Sequence, residues 1–234
     1  CVQEHYAAIA VAGPKSAGIM ARLTGADAPR HMSVAETVIA GAPVLLMAAS
    51  FSGERAFEVH FDAAHAEQVW NAIEAEVTAA GGAPYGLEAM ELLRIEKGHM
   101  VVGPDIDGRL TADELGLGKM VNKARSWIGA ATLERPDFAD PMRKQLVGVE
   151  ALDGGSIPEG SMLVRAVGEP AEGHVTASGL RVLEGGSIAL AHLMGGQARH
   201  GEEIFAHSPT RKSTVRVRVT SPHFYDPAGE RYRD

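Results

Sequence analysis

Among the residues of this chain, Glu96 has the type and placement that most directly suggest chemistry. It lies in the stretch Glu88–Gly118, EAMELLRIEKGHMVVGPDIDGRLTADELGLG. The spacing predicts a helix from about Tyr85 to Lys97, stopped by Gly98. At about 100° per residue, Ala89, Leu92 and Leu93 share one face and Glu96 falls in the middle of it. An ionised carboxylate on an apolar face is costly unless hydrogen-bond donors meet it, which marks Glu96 as a candidate binding residue. Arg94 projects from a different face and is expected to pair with Glu91, three residues before it. Lys97 and His99 suit a helix C-terminus, and His99 is read as structural.

Elements on both sides must position this helix. Tyr6–Ala12 reads as a buried strand, and Gly13-Pro14 opens a helix whose inner face holds Ala17, Met20, Ala21 and Leu23. Pro43–Phe51 reads as a second strand, Ser52-Gly53-Glu54 as a turn that Glu54 ties, and Ala56–Phe61 as an alternating strand. His65–Ala80 is an amphipathic helix, with Ala66, Val69, Trp70, Ile73 and Val77 recurring at three- and four-residue steps and Gly81-Gly82 as its stop. Thr111-Ala112-Asp113-Glu114 has capping-box spacing and predicts another short helix. The proline-bearing segment Glu134–Pro141 reads as a boundary. Short strands follow at Gln145–Val149, Met162–Val167, His174–Ser178, Ile188–Leu193, Glu203–His207 and Thr214–Thr220, so an antiparallel barrel or sandwich is expected.

Composition narrows the function classes. The chain has 234 residues, 45% of them hydrophobic and 22% charged, as in a globular protein with a substantial core. A net charge of −8 argues against nucleic acid as the main partner. The single cysteine, Cys1, excludes an internal disulfide and a cysteine-based zinc cluster and fits a reducing cytoplasm. No apolar run is long enough to span a bilayer, and the first residues lack the pattern of a signal peptide, so Cys1 reads as the start of a fragment. Gly116-Leu117-Gly118-Lys119 lacks the earlier glycine and the following Ser/Thr of a phosphate loop. Neither a dinucleotide fingerprint nor a His-Glu-x-x-His pair occurs. Asp105 and Asp107 make only half of a calcium loop, and they read as loop-capping residues; no metal is expected.

An ordered series of segments carries a family resemblance. FSGERAFEV (Phe51–Val59), YGLEAMELLRIEKGH (Tyr85–His99), GPDIDGRLTADELGLGKMV (Gly103–Val121) and SWIGAATL (Ser126–Leu133) resemble, in order and spacing, the signatures of the glycine-cleavage T-protein family. Within it, RIEKGH, VGPDIDGRLTADELGLGKMV and the ending SPHFYDPAGERYRD are most similar to the branch formed by the folate-binding part of heterotetrameric sarcosine oxidase alpha subunits.

The resemblance implies an α+β fold: a truncated aminomethyltransferase-like folate-binding domain over residues 1–140, then a small C-terminal antiparallel β-barrel over residues 141–234. It implies that a one-carbon unit from oxidised sarcosine is captured by tetrahydrofolate, giving glycine and 5,10-methylenetetrahydrofolate, with hydrogen peroxide formed in the oxidation. Flavin (FAD or FMN) and NAD are then expected in the full complex, outside this chain, with other sarcosine oxidase subunits as partners. Glu96 matches the family glutamate that hydrogen-bonds the pterin ring, whose amino group and ring N–H suit a carboxylate's acceptor oxygens. Lys123 and Arg125 fall where the family places a basic residue near the folate tail; without that ligand they read as solvated surface charges. Tyr232 corresponds to a C-terminal aromatic. The family's active-site aspartate has no counterpart here, so no general acid or base is assigned. The alternatives are another member of the family, an aminomethyltransferase or a dimethylglycine-type dehydrogenase, and a non-catalytic assembly module.

Overall fold

A computed structural model describes residues 3–121, 127–181 and 183–233, so Lys123 and Arg125 lie outside the described residues. The chain forms two compact units, residues 1–94 with 226–234 and residues 95–225. In the first, β1 (Tyr6–Ala12), α1 (Ser16–Thr24), β2 (Val34–Ile39), β3 (Ala42–Met47), β4 (Ala56–Asp62) and α2 (Ala66–Ala79) follow in order. The strands make an antiparallel sheet of order β1-β4-β3-β2. Alternation decides its faces: Phe57, Val59 and Phe61 are buried on β4, while Glu58 and His60 face away and pair at 3.1 Å. The buried face meets Ile19 and Met20 of α1 and Val69 and Ile73 of α2 in one core.

Three details depart from the sequence reading. Trp70 is not a core residue but 41% exposed, because the stripe that meets the sheet runs through Val69 and Ile73 and the indole lies about 100° round the helix. Strand β3 ends at Met47 rather than Phe51. Beyond it, serine side chains take the backbone: Gly53 N donates to Ser50 Oγ (3.0 Å) and Glu54 N to Ser52 Oγ (3.4 Å). Strand β2 had no sequence signal, since Val34 and Val38 point outward and its hairpin to β3 turns on Ala40-Gly41. Both turn residues have positive φ, 50° and 85°, as a two-residue hairpin loop of the primed type requires. Alanine bears a steric cost there that asparagine bears less.

The segment that leaves the first unit is α3 (Leu87–Lys97); a four-residue helical turn, α4 (Pro136–Ala139), precedes the barrel. The barrel strands are β5 (Lys144–Ala151), β6 (Met162–Val164), β7 (Gly173–Leu180), β8 (Ser187–Met194), β9 (Glu203–Ser208) and β10 (Ser213–Thr220). They close in the order β10-β5-β8-β7-β6-β9. Val215, Val217 and Val219 fill the interior, as their alternation with Arg216 and Arg218 predicts. Strand β8 is buried along almost its whole length. Ala189, Ala191 and Leu193 face the interior, while Ile188 and Leu190 join Leu146 and Ala177 in a second cluster with Ile95, Leu115 and Phe224. An apolar run without alternation, SIALAHLM, is what two buried faces demand.

The segment after α3 is clasped to the barrel by Asp105, which is fully buried. Its carboxylate accepts from Thr176 Oγ1 and from Val101 N (3.0 Å), and its carbonyl lies 2.9 Å from His192 Nε2. His192 faces His174 across the β7–β8 ladder, the rings edge to face with centroids 5.4 Å apart. The capping box also forms: Thr111 N donates to Glu114 Oε2 (2.7 Å) and Glu114 N to Thr111 Oγ1 (3.3 Å). It closes a single turn rather than the expected helix, because Gly116 at φ +75° ends it. Burial opposes ionisation of Glu114, but hydrogen bonds from Arg143 and Thr111 outweigh it and hold the carboxyl below its ordinary value.

Two outcomes follow. Ala40→Asn is expected to stabilise the protein by about 1 kcal/mol, read as a raised urea midpoint at unchanged slope. The second concerns pH. Burial holds the His192 and His174 imidazoles below their ordinary value of 6.5, with the Lys144 ammonium acting in the same direction on both and the Asp107 carboxylate against it. Their stabilising contribution is therefore complete above the unfolded-state value and is lost as pH falls below it, until the folded-state rings themselves take protons. The loss is at most about 1.4 kcal/mol per pH unit per histidine. His192→Gln keeps a donor for the Asp105 carbonyl and should flatten the fall in urea midpoint between about pH 7.5 and about pH 5.5; an unchanged slope would remove His192 from this account.

Candidate functional site

The site is built on the last turn of α3. Leu87, at its start, is 78% exposed, whereas Arg94, Ile95, Glu96 and Lys97 are all buried, Glu96 to 8% exposure and Arg94 to 1%. Three charged residues out of water within four positions are expensive unless each is matched. Arg94 meets its expected partner: its Nε donates to Glu91 Oε1 at 2.9 Å, one helical turn back. Where the sequence predicted Leu92 and Leu93 on the inner face, both are half-buried and Ala89 is exposed. Burial follows position along the helix more than the face around it.

A helix end also leaves its final carbonyls without intrahelical donors. Gly98, at φ +76°, turns the chain and returns its N–H to the Ile95 carbonyl (3.0 Å). The remaining acceptors are met from far along the sequence. The Glu96 carbonyl accepts from Phe224 N (2.9 Å) and Tyr225 N (2.8 Å), and the Lys97 carbonyl from His223 Nδ1 (3.0 Å). Lys97 Nζ points back to the Tyr225 carbonyl at 3.5 Å. Segment 221–225 is thus a strap across the helix end, and glycines make room for it. A Cβ on Gly98 would come within 2.5 Å of the Pro222 carbonyl oxygen, and one on Gly148 within 2.6 Å of the Phe224 ring. Phe224 packs against the outer cluster of the barrel, to which Ile95 belongs.

The arrangement holds a buried carboxylate on a backbone fixed from both sides of the chain. An ionised carboxylate is acceptor-only, with two oxygens, and so fits a ligand edge that presents adjacent N–H groups. The strap was not anticipated from the sequence, where SPHFYDPAGERYRD looked like a tail. The signal that could have found it is Gly98 following a buried helix end, since a buried end must have donors brought to it.

Other singled-out residues are structural. Glu54 pairs with Arg231 at 3.2 Å, so the Ser-Gly-Glu turn anchors the chain's final segment, where Tyr232 meets His31 edge to face at 4.8 Å. Asp107 binds Arg109 through its side chain and caps the Arg109 N–H at 2.9 Å; the Arg109 hydrogen bonds lower its pKa to about 2. A cavity of about 700 Å³ lies in the first unit, lined by Ile9, Val11, Trp70, Ile73, Val77 and Tyr85 among others, and Glu96 is not part of it. Among the described residues, no group of three His, Cys, Asp or Glu could hold a metal ion, and no helix is long and apolar enough to cross a membrane.

Comparison with known proteins places this geometry. Residues 1–125 match the GCVT N-terminal domain, and residues 144–226 the glycine cleavage T-protein C-terminal barrel domain. The sarcosine oxidase alpha subunit of Rhizobium meliloti (strain 1021) is 35% identical over 242 residues, covering 98% of this chain and 24% of that subunit. The alpha subunit of Corynebacterium sp. (strain U-96) is 34% identical, covering 98% and 25%. The aminomethyltransferase of Streptomyces coelicolor (strain ATCC BAA-471 / A3(2) / M145) is 34% identical, covering 86% and 55%. In fold, the chain is similar to the crystal structure of glycine cleavage system aminomethyltransferase T from Bartonella henselae, with a TM-score of 0.80 at 20% identity, over 98% of this chain and 61% of that one. The chain spans about a quarter of the length of the alpha subunits it matches. With both domain models matched in order, and with a mixed sheet-and-helix unit followed by a closed antiparallel barrel, the chain belongs to the glycine-cleavage T-protein family.

Proposed function

We propose that this chain is the tetrahydrofolate-binding portion of a sarcosine oxidase alpha subunit, divided near residue 140 into a folate-binding part and a barrel. In this reading a one-carbon unit from oxidised sarcosine passes to tetrahydrofolate, leaving glycine, while oxygen is reduced to hydrogen peroxide. The flavin and NAD belong to other parts of the complex, and other sarcosine oxidase subunits are the chain's partners in the cytoplasm. The observation that carries the reading is Glu96, a charged residue 8% exposed in the last turn of a buried helix. A carboxylate kept there at a desolvation cost suits a donor-rich ring edge, and a pterin supplies an amino group and a ring N–H. Lys123 and Arg125 are assigned to the anionic tail of the folate.

The branch is chosen on identity and coverage together. The match to the Rhizobium meliloti sarcosine oxidase alpha subunit is 35% identical over 98% of the chain, against 34% over 86% for the Streptomyces coelicolor aminomethyltransferase and 30% over 96% for that of Saccharopolyspora erythraea. The second reading is an aminomethyltransferase, favoured by 34% identity to that protein and by the shared fold of the Bartonella henselae structure. Sarcosine-dependent peroxide formation by the assembled complex separates the two.

The test is calorimetric titration of the full-length protein with tetrahydrofolate. Glu96→Gln replaces one acceptor oxygen by a donor and removes the charge, and should weaken binding about 10- to 100-fold, the value of one or two charge-assisted hydrogen bonds. Wild-type affinity in Glu96→Gln, or no binding by the full-length protein, would overturn the assignment.

A further inference from the structure

We propose that the 221–225 strap is the positioning device for Glu96, with His223 as its lock. The inference rests on the folate-binding reading above and adds to it residues remote in sequence that set the affinity of the site.

Glu96 is the penultimate residue of α3, where a helix frays first, because its carbonyl and that of Lys97 have no intrahelical donor. Here both carbonyls are taken by the strap, the first by two backbone N–H groups and the second by an imidazole N–H. The backbone bonds form with almost any side chain at 224 and 225. The His223 bond depends on one side chain and closes the outermost position. The strap cannot slide, because Phe224 is packed against the apolar cluster to which Ile95, the residue before Glu96, belongs, and because Gly98 and Gly148 bring backbone within contact of it. Movement of the strap therefore moves the turn that bears the carboxylate.

A carboxylate held in place before its ligand arrives spends no ordering free energy at the moment of binding. A freed last turn would still fold as part of α3, but would spread Glu96 over several rotamers and backbone positions. The effect should fall on affinity rather than on global stability.

The experiment measures tetrahydrofolate affinity and apo-protein melting temperature for the full-length wild type, His223→Ala, His223→Asn and Glu96→Gln. The Asn amide nitrogen sits close to the place of Nδ1 and keeps the donor. His223→Ala is expected to weaken binding about tenfold, and His223→Asn to restore it to within about twofold of wild type. Wild-type affinity in His223→Ala, alongside lost affinity in Glu96→Gln, would show that the strap is only structural and overturn the inference. Wild-type affinity in Glu96→Gln would instead bring down the folate reading itself, and the inference with it. If His223→Ala does not fold, His223→Gln, which sets its donor one bond farther out, is judged by the same comparison: affinity equal to wild type counts against the lock, and a loss that Asn repairs counts for it.

Discussion

The end of a buried helix imposes a demand that cannot be met locally. Its last carbonyls belong to buried residues and need donors. In this protein Glu96 and Lys97 make that demand, and Phe224, Tyr225 and His223 answer it. More than a hundred residues separate the two sides, and the whole barrel lies between them in sequence. Order at the candidate site therefore depends on residues that follow the barrel in sequence, and is not a property of the Glu88–Gly118 segment alone.

The same demand explains the unusual outer face of the barrel. A small barrel normally presents polar side chains to solvent on alternate positions. Here Ile188 and Leu190 of β8, with Leu146 and Ala177, are apolar on the outside as well, because Ile95, Leu115 and Phe224 cover them. Asp105 fastens the connecting segment by accepting from Thr176 and Val101, and its carbonyl meets His192. Two glycines complete the fit: at Gly98 and Gly148 any side chain would meet the strap. These residues carry no chemistry of their own, yet each one limits where the Glu96 backbone can be.

How much of this could be read in the sequence varies with the range of the interaction. The six barrel strands, the alternation of β4 and β10 and the glycine stops were legible, because period and turn chemistry are local. Strand β2 was not, since VAETVI places valines on its exposed face and its hairpin uses alanine where asparagine would have signalled the turn. Trp70 was misplaced because an indole one position from the stripe counts as apolar in a periodic pattern wherever it points. At the candidate site the Glu91–Arg94 pair was legible from helical spacing, whereas the burial of Glu96 follows its place at the end of α3 rather than the predicted face. The strap was not, because hydrogen bonds made by backbone N–H groups leave almost no trace in residue type. Lys123 and Arg125 fall outside the described residues, so their place rests on sequence alone.

The buried charge and the strap are best understood together. Removing Glu96 from water costs free energy in the absence of a ligand, and a fold tolerates such a cost only where other contacts over-determine the position. The strap supplies them: two hydrogen bonds to the carbonyl of Glu96 itself, one to the next residue, and an aromatic packed against the cluster that holds the preceding one. An apolar residue at position 96 would relieve the cost, and the same strap would then merely cap a helix. Glu96 is 8% exposed, so the backbone that carries it is held where its surroundings are largely protein. In the proposed reading the ligand meets a carboxylate on a backbone already fixed, so little ordering free energy is spent at binding and more of the interaction appears as affinity.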